Sequence, residues 1–191
     1  MQTKLWKYGN KKIGSDTLIF NLCSAHDCPS RMLGLCQLEN PSKCYALKAE
    51  KMYPNVKPYR DRQSEYWNNG NIVDMYYDIG HSIERRKAKT RYMRLNESGD
   101  FKDQYDVDRA ENLAHYLYRH LGIITYCYTA RIDLAFPDLL WFVVNGSGHM
   151  QSNEYRVVKE YSGKNPVCPN DCRKCDLCKV PRGIVIEQLI H

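Results

Sequence analysis

Residues 104–129 read QYDVDRAENLAHYLYRHLGIITYCYT, and the fold class turns on them. Val107, Ala110, Leu113, Ala114, Leu117 and Leu121 recur at steps of three and four, the stripe of an amphipathic helix predicted over 104–120. Gly122 follows the last of them, where a residue with no Cβ can take the left-handed cap. Residues 123–129 are then continuously apolar, aromatic or β-branched, as in a strand buried on both faces. A helix feeding directly into a doubly buried strand is one repeat of an α/β fold.

Upstream, strands are predicted over 15–22 and 91–95 and helices over 44–52, 59–68 and 72–89. Pro54 and Pro58 separate the first two helices, and Ile72, Met75, Tyr76, Ile79 and Ile83 form the face of the third. Residues 23–43 read as a loop organised by its cysteines. Downstream, strands are predicted over 139–144, 155–160 and 183–190, with 163–166 as a linker. The expected fold is α/β with a mainly parallel sheet. Its core, residues 1–165, includes a cysteine loop at 23–44, and a cysteine-rich metal-binding tail, 166–191, packs on it. Sites in such sheets lie at the carboxyl ends of the strands. Those ends carry Cys23, Ser98-Gly99-Asp100, Thr129-Ala130-Arg131 and Asn145-Gly146-Ser147-Gly148.

Eight of nine cysteines fall into two groups: Cys23, Cys28, Cys36 and Cys44, then Cys168, Cys172, Cys175 and Cys178 in CPNDCRKCDLC. The second group is spaced C-x3-C-x2-C-x2-C, short enough for thiolates to take adjacent corners of an iron–sulfur cube. Tetrahedral zinc, the alternative, usually takes two cysteine pairs across a longer loop. The expected cofactor is a 4Fe–4S cluster, one or two per chain. The run contains the C-x3-C-x2-C spacing of radical S-adenosylmethionine enzymes. Here it sits far from the first strand, Lys174 takes the usual aromatic position, and Cys178 can close the fourth iron, so the match reads as coincidental. S-adenosylmethionine is a candidate cofactor but not the favoured one. In the wider N-terminal group, His26 and Asp27 are further candidate ligands or solvated loop residues. Cys127 reads as a buried structural thiol.

The chain has 191 residues, 43% hydrophobic and 26% charged, enough for a sizeable core without disulfides. No run reaches the length of a membrane span and the start is not a signal peptide, so no membrane partner and a cytoplasmic location are expected. In that compartment clustered thiols favour metal over disulfide. Net charge is +6, and six of the ten residues from 85 to 94 are Lys or Arg. Arg85, Arg86, Lys87, Lys89 and Arg91, with tyrosines close by, form a candidate nucleic-acid surface, or else a solvated helix end.

Several short elements occur in a fixed order: Gly9-Asn10, Lys12-Ile13-Gly14, Cys28-Pro29, Cys36 and Cys44-Tyr45-Ala46. Then come Arg94, Ser98-Gly99-Asp100-Phe101, Tyr128-Thr129, Cys168-Pro169 and the last three cysteines. As a set this resembles the phage gene product 88 family, sparsely characterised proteins of bacterial and archaeal viruses and their hosts. The resemblance implies a partial or compact (β/α) barrel related to radical enzymes, with no firm activity, in the host cytoplasm. It also implies that Cys28, Cys36 and Cys44 take a fourth ligand, for which Cys168 is a candidate. Two departures are visible: Ala130 displaces Arg131 by one position, and the chain is shorter between the last barrel strands and the C-terminal cysteines; Cys23, in addition, has no family counterpart. Asp100, Arg131, Arg94 and Ser98 are the candidate catalytic residues: Asp100 as base or cation ligand, or else a turn cap, and the arginines as grips for phosphate or carboxylate. Arg94 can alternatively pair with Asp100. The leading expectation is an iron–sulfur protein that binds or processes nucleic acid. The alternatives are a radical enzyme with an open-iron cluster and a non-enzymatic binding module tied by zinc or iron–sulfur centres.

Overall fold

In the computed structural model, which describes residues 5–38 and 40–189, seven strands form one sheet in the order of the chain. β1 (Lys7–Tyr8) runs antiparallel to β2 (Thr17–Phe20). β3 (Tyr92–Leu95), β4 (Ile124–Thr129), β5 (Phe142–Ser147), β6 (Asn153–Val158) and β7 (Val185–Leu189) continue it in parallel. β1 and β7 are the two edges, so the sheet is open. The compact barrel is therefore not closed, since closure requires the last strand to pair with the first.

The helices are α1 (Pro29–Met32), α2 (Tyr45–Met52), α3 (Val56–Asn69), α4 (Ile72–Glu84) and α5 (Gln104–Leu121). Alternation along each strand divides the sheet into two faces. Leu18, Phe20, Met93, Leu95, Cys127, Phe142 and Val144 meet Trp67, Met75, Ile79, Leu113 and Leu117 of the helices in the main core. Cys127 is fully buried there, the structural thiol expected. The other face carries a smaller cluster of Tyr92, Tyr126 and Val143 with Tyr128. α5 is stopped by Gly122 at φ 65° and started by Asp103, whose carboxylate accepts from the Asp106 amide at 3.0 Å.

Several boundaries shift for local reasons. α3 begins at Val56 and contains Pro58, which fits a first turn because its missing N–H has no intrahelical acceptor there. α4 stops at Glu84 rather than 89, and Arg86 folds back to stack 3.4 Å over the Tyr8 ring. The strand expected over 139–144 lies at Phe142–Ser147 because Leu139 bridges back to Phe142 in a turn. The expected loop 23–43 contains the short α1, and the last strand is described only as far as Leu189, residue 190 lying outside the described residues.

Two crossovers position the site. Parallel neighbours ordinarily need connections of about a dozen residues or more. β6 instead starts beside the last three residues of β5, pairing Asn145 with Asn153, and runs on past its end, so residues 148–152 suffice. The β6–β7 crossover, residues 159–184, is long and carries Cys168, Cys172, Cys175 and Cys178.

Candidate metal centre and strand-end site

The four thiols of this crossover line one hollow together with Pro169, Asp171, Lys179, Tyr126 and Tyr128. The tyrosines belong to the sheet face that the helices leave uncovered, and they share that side of β4 because residues two apart in a strand do so. The Tyr128 hydroxyl donates to Cys178, while the Tyr155 hydroxyl of β6, in the field of Cys168, donates to Gln188 at 3.4 Å. Lys179, 5% exposed, donates to the Cys172 carbonyl at 2.8 Å and lies 4.4 Å from the centroid of the Tyr92 ring. Burial pushes the Cys178 thiol up to about 12, against the Tyr128 bond, and raises that of Cys172 as well. A bound metal reverses that balance by binding the thiolate.

The crossover is fastened to the sheet by Asn145, one of the strand-end residues named from the sequence, and by Asn153, which the sequence did not single out. Asn145 donates to the carbonyls of Cys127 at 3.0 Å and Cys178 at 2.9 Å. Asn153 donates to Asn145 at 3.2 Å and to the Val180 carbonyl at 3.0 Å. The Cys172 amide donates to the Lys12 carbonyl at 3.0 Å and the Cys168 amide to that of Glu187 at 2.8 Å. The one visible signal was the spacing of Tyr126 and Tyr128. Among the described residues no three His, Cys, Asp or Glu side chains converge on one point as a metal-ion site. The thiols wall the hollow without meeting.

The N-terminal cysteines lie beyond the carboxyl end of β2. Cys23 donates to the Asp100 carbonyl at 3.8 Å. Gly99, at φ 78°, packs so closely that a Cβ would stand 2.3 Å from the Cys23 sulfur. Cys28 lies in the electrostatic field of Cys23 and Cys36, and burial pushes its thiol up to about 11 and that of Cys23 to about 12. Cys28 and Cys44 occupy the N-cap positions of α1 and α2. The loop is held by Glu50, which accepts from the amides of Ala25 at 2.7 Å and His26 at 3.3 Å and from Arg60 at 2.8 Å. Cys168 lines the C-terminal hollow with the other three cysteines of its run. His26 and Asp27 bond each other at 3.1 Å, both well exposed.

Asp100 is where the strand ends meet. One oxygen accepts from the Phe101 amide at 2.9 Å and the Thr129 hydroxyl at 2.7 Å, the other from the Ala130 amide at 2.9 Å and the Ser30 hydroxyl at 2.5 Å. Burial raises its pKa while all four donors pull it down. Arg131 is held bidentate by Asp133 at 2.8 and 2.7 Å and donates to the carbonyls of Phe101 and Lys102. Asp100 has no lone pair left for substrate, and Arg131 keeps one of its five N–H groups free of these bonds. Arg94 does not pair with Asp100; it stands 5.0 Å from the Tyr128 centroid, and its buried Nε has no hydrogen-bond partner, nor has the buried Ser98 hydroxyl.

The basic segment lies at the opposite end of β3 from Ser98 and Asp100, so the structure does not bring the two together. Arg85 caps α4, and Arg86 is committed to Tyr8 and the Ser15 carbonyl. Arg91 bonds the Tyr92 hydroxyl at 3.1 Å beside Asp16 at 3.9 Å, while Lys87 and Lys89 are exposed.

No helix among the described residues is long and apolar enough to cross a membrane. No curated protein and no solved structure matches the chain. The family comparison does match, over residues 2–168, a span that takes in the N-terminal cysteine loop, the carboxyl ends of β2 to β6 and Cys168 but stops before Cys172. The chain therefore belongs to the gene product 88 family.

Proposed function

We propose that this is a viral iron–sulfur protein of the host cytoplasm that binds or processes nucleic acid, with Cys168, Cys172, Cys175 and Cys178 as ligands of one centre. The observation that carries the metal reading is the shared hollow: four thiols from one crossover face a sheet surface that donates a phenolic hydrogen bond, from Tyr128, to the Cys178 sulfur. Hydrogen bonds to thiolate sulfurs tune iron–sulfur centres and hold ligands in place. Metal binding would draw the four sulfurs inward. When bound, such a cluster supplies electron transfer or, with an open iron, Lewis acidity. A second centre would fall to Cys23, Cys28, Cys36 and Cys44 beyond β2. Asp100 is structural in this reading, because its lone pairs are used. Nucleic acid would lie on the exposed Lys87 and Lys89 and neighbouring cations, at the far end of β3 from Asp100.

The test is anaerobic purification with iron, zinc and acid-labile sulfide measured per chain, together with a visible spectrum. Iron and sulfide near about four each support one cluster, and about eight support two. Zinc without sulfide overturns the iron–sulfur reading and leaves the zinc-tied binding module. Separately, affinity for single-stranded and duplex DNA and RNA should fall steeply with salt. Lys87→Ala with Lys89→Ala should flatten the log–log slope by roughly two. Salt-insensitive binding, or none, would end the nucleic-acid part alone.

A further inference from the structure

Two cations stand at the C-terminal hollow with no carboxylate bonded to either: Lys179 is buried and Arg94 half-buried. Lys179 is one of its walls, and its ammonium group has a carbonyl and an aromatic face but, among the described residues, no ion-pair partner. Arg94 stands behind the same wall, over Tyr128, with Nε sealed from solvent and unbonded. The carboxylates nearby are engaged elsewhere. Glu97, in the field of Arg94, bonds Asn10 at 2.6 Å and Lys7 at 3.5 Å. Asp171 chelates Arg173 at 2.7 and 2.8 Å, and Asp16 faces Arg91.

A cation buried without a partner of opposite charge is strongly unfavourable. A buried Lys179 and a half-buried Arg94 at one hollow therefore call for negative charge there, and the remaining groups able to supply it are the four thiols. Four thiolates around a dication, whether zinc or the oxidised core of a four-iron cluster, leave two negative charges over. Arg94 and Lys179 supply two positive ones. Resting on the metal reading above, we propose that Arg94 and Lys179 are the counter-ions of the thiolate centre, neutralising its surplus charge and so sustaining its hold on metal. Arg94 acts at longer range, through the Tyr128 wall, whereas Lys179 fixes the Cys172 backbone as well. Tyr128, bonded to the Cys178 sulfur, completes the arrangement from β4.

The experiment is chelator competition on the full chain, loaded with zinc ion or reconstituted with ferrous iron and sulfide. Lys179→Met and Arg94→Met are compared with the charge-keeping Lys179→Arg and Arg94→Lys, each checked for native circular dichroism. Each Met variant should lose at least about tenfold in metal affinity, and the charge-keeping variants should recover most of it. With a cluster, the midpoint potential should move negative in the Met variants, by about 59 mV for each tenfold change in a one-electron equilibrium. Folded Met variants that hold metal and potential like the parent would overturn the counter-ion assignment while leaving the metal reading intact. If the Met variants do not fold, loss of metal from folded Arg94→Lys and Lys179→Arg overturns it instead. Failure of the parent itself to take up either metal refutes the metal reading, and the assignment with it.

Discussion

Asp100 joins three separate stretches of chain through one carboxylate: its own loop after β3, the end of β4 through Thr129 and Ala130, and α1 through Ser30. Two of its four donors are backbone amides, which cannot turn round to become acceptors. Asp100→Asn therefore sets an NH2 group against at least one N–H, and we expect it to destabilise the fold by about 1–3 kcal/mol. Asp100→Ala strands all four donors and should cost more, about 3 kcal/mol or above. Urea unfolding checks both. A variant of unchanged stability that lost a measured activity would return Asp100 to a chemical role.

At the scale of elements, the cysteine loop after β2 is shaped by α2 and α3 rather than by its own sequence. Glu50 on α2 and Arg60 on α3 form an ion pair whose side chains are each 5% exposed, and the same carboxylate receives the amides of Ala25 and His26. Removing one member leaves the other as an uncompensated buried charge. Glu50→Ala should cost about 3–5 kcal/mol, and replacing both residues by Met should cost less than the sum of the two single changes. A double-mutant cycle in urea reads that coupling. Additive costs would mean that the pair does not hold the loop as a unit. A second consequence is local: Ala25 and His26 lie between Cys23 and Cys28, so the Glu50 change should also raise the reactivity of those two thiols toward an alkylating reagent.

Across the whole molecule, the cysteine run is a crossover within the sheet: it leaves β6, passes over the face opposite the helices, and returns as β7. Its attachment depends on Asn145, which spans from the Cys127 carbonyl of β4 to the Cys178 carbonyl of the crossover. Asn145→Ala leaves two buried carbonyls and Asn153 short of a partner. We expect a loss of about 2–3 kcal/mol and a fall in Tm of roughly 5 °C or more. Amide exchange should quicken across 168–180 while α5 stays protected. Uniform quickening throughout would show that crossover and sheet open only together.

Much of this was legible in the chain. The stripe of α5, Gly122 as its stop, and the unbroken apolar run of β4 specify an α/β repeat because periodicity and capping act over a few residues. The thiol grouping is equally local. Open or closed sheet, by contrast, depends on whether β1 and β7 pair, which no local pattern encodes. The fates of Asp100, Arg94 and Arg131 were also invisible, since all three read alike as polar residues at strand ends. Register decided that Asp100 would be saturated, Arg131 tied to its neighbour, and Arg94 left unbonded behind Tyr128. The sequence by itself determined which segments are helix, strand and thiol cluster. Only the tertiary structure decided that Tyr126, Tyr128 and Lys179 line the hollow with those thiols and that Arg94 stands behind Tyr128, because they come from β3, β4 and the crossover, and strand pairing alone brings residues so distant in the chain to one place.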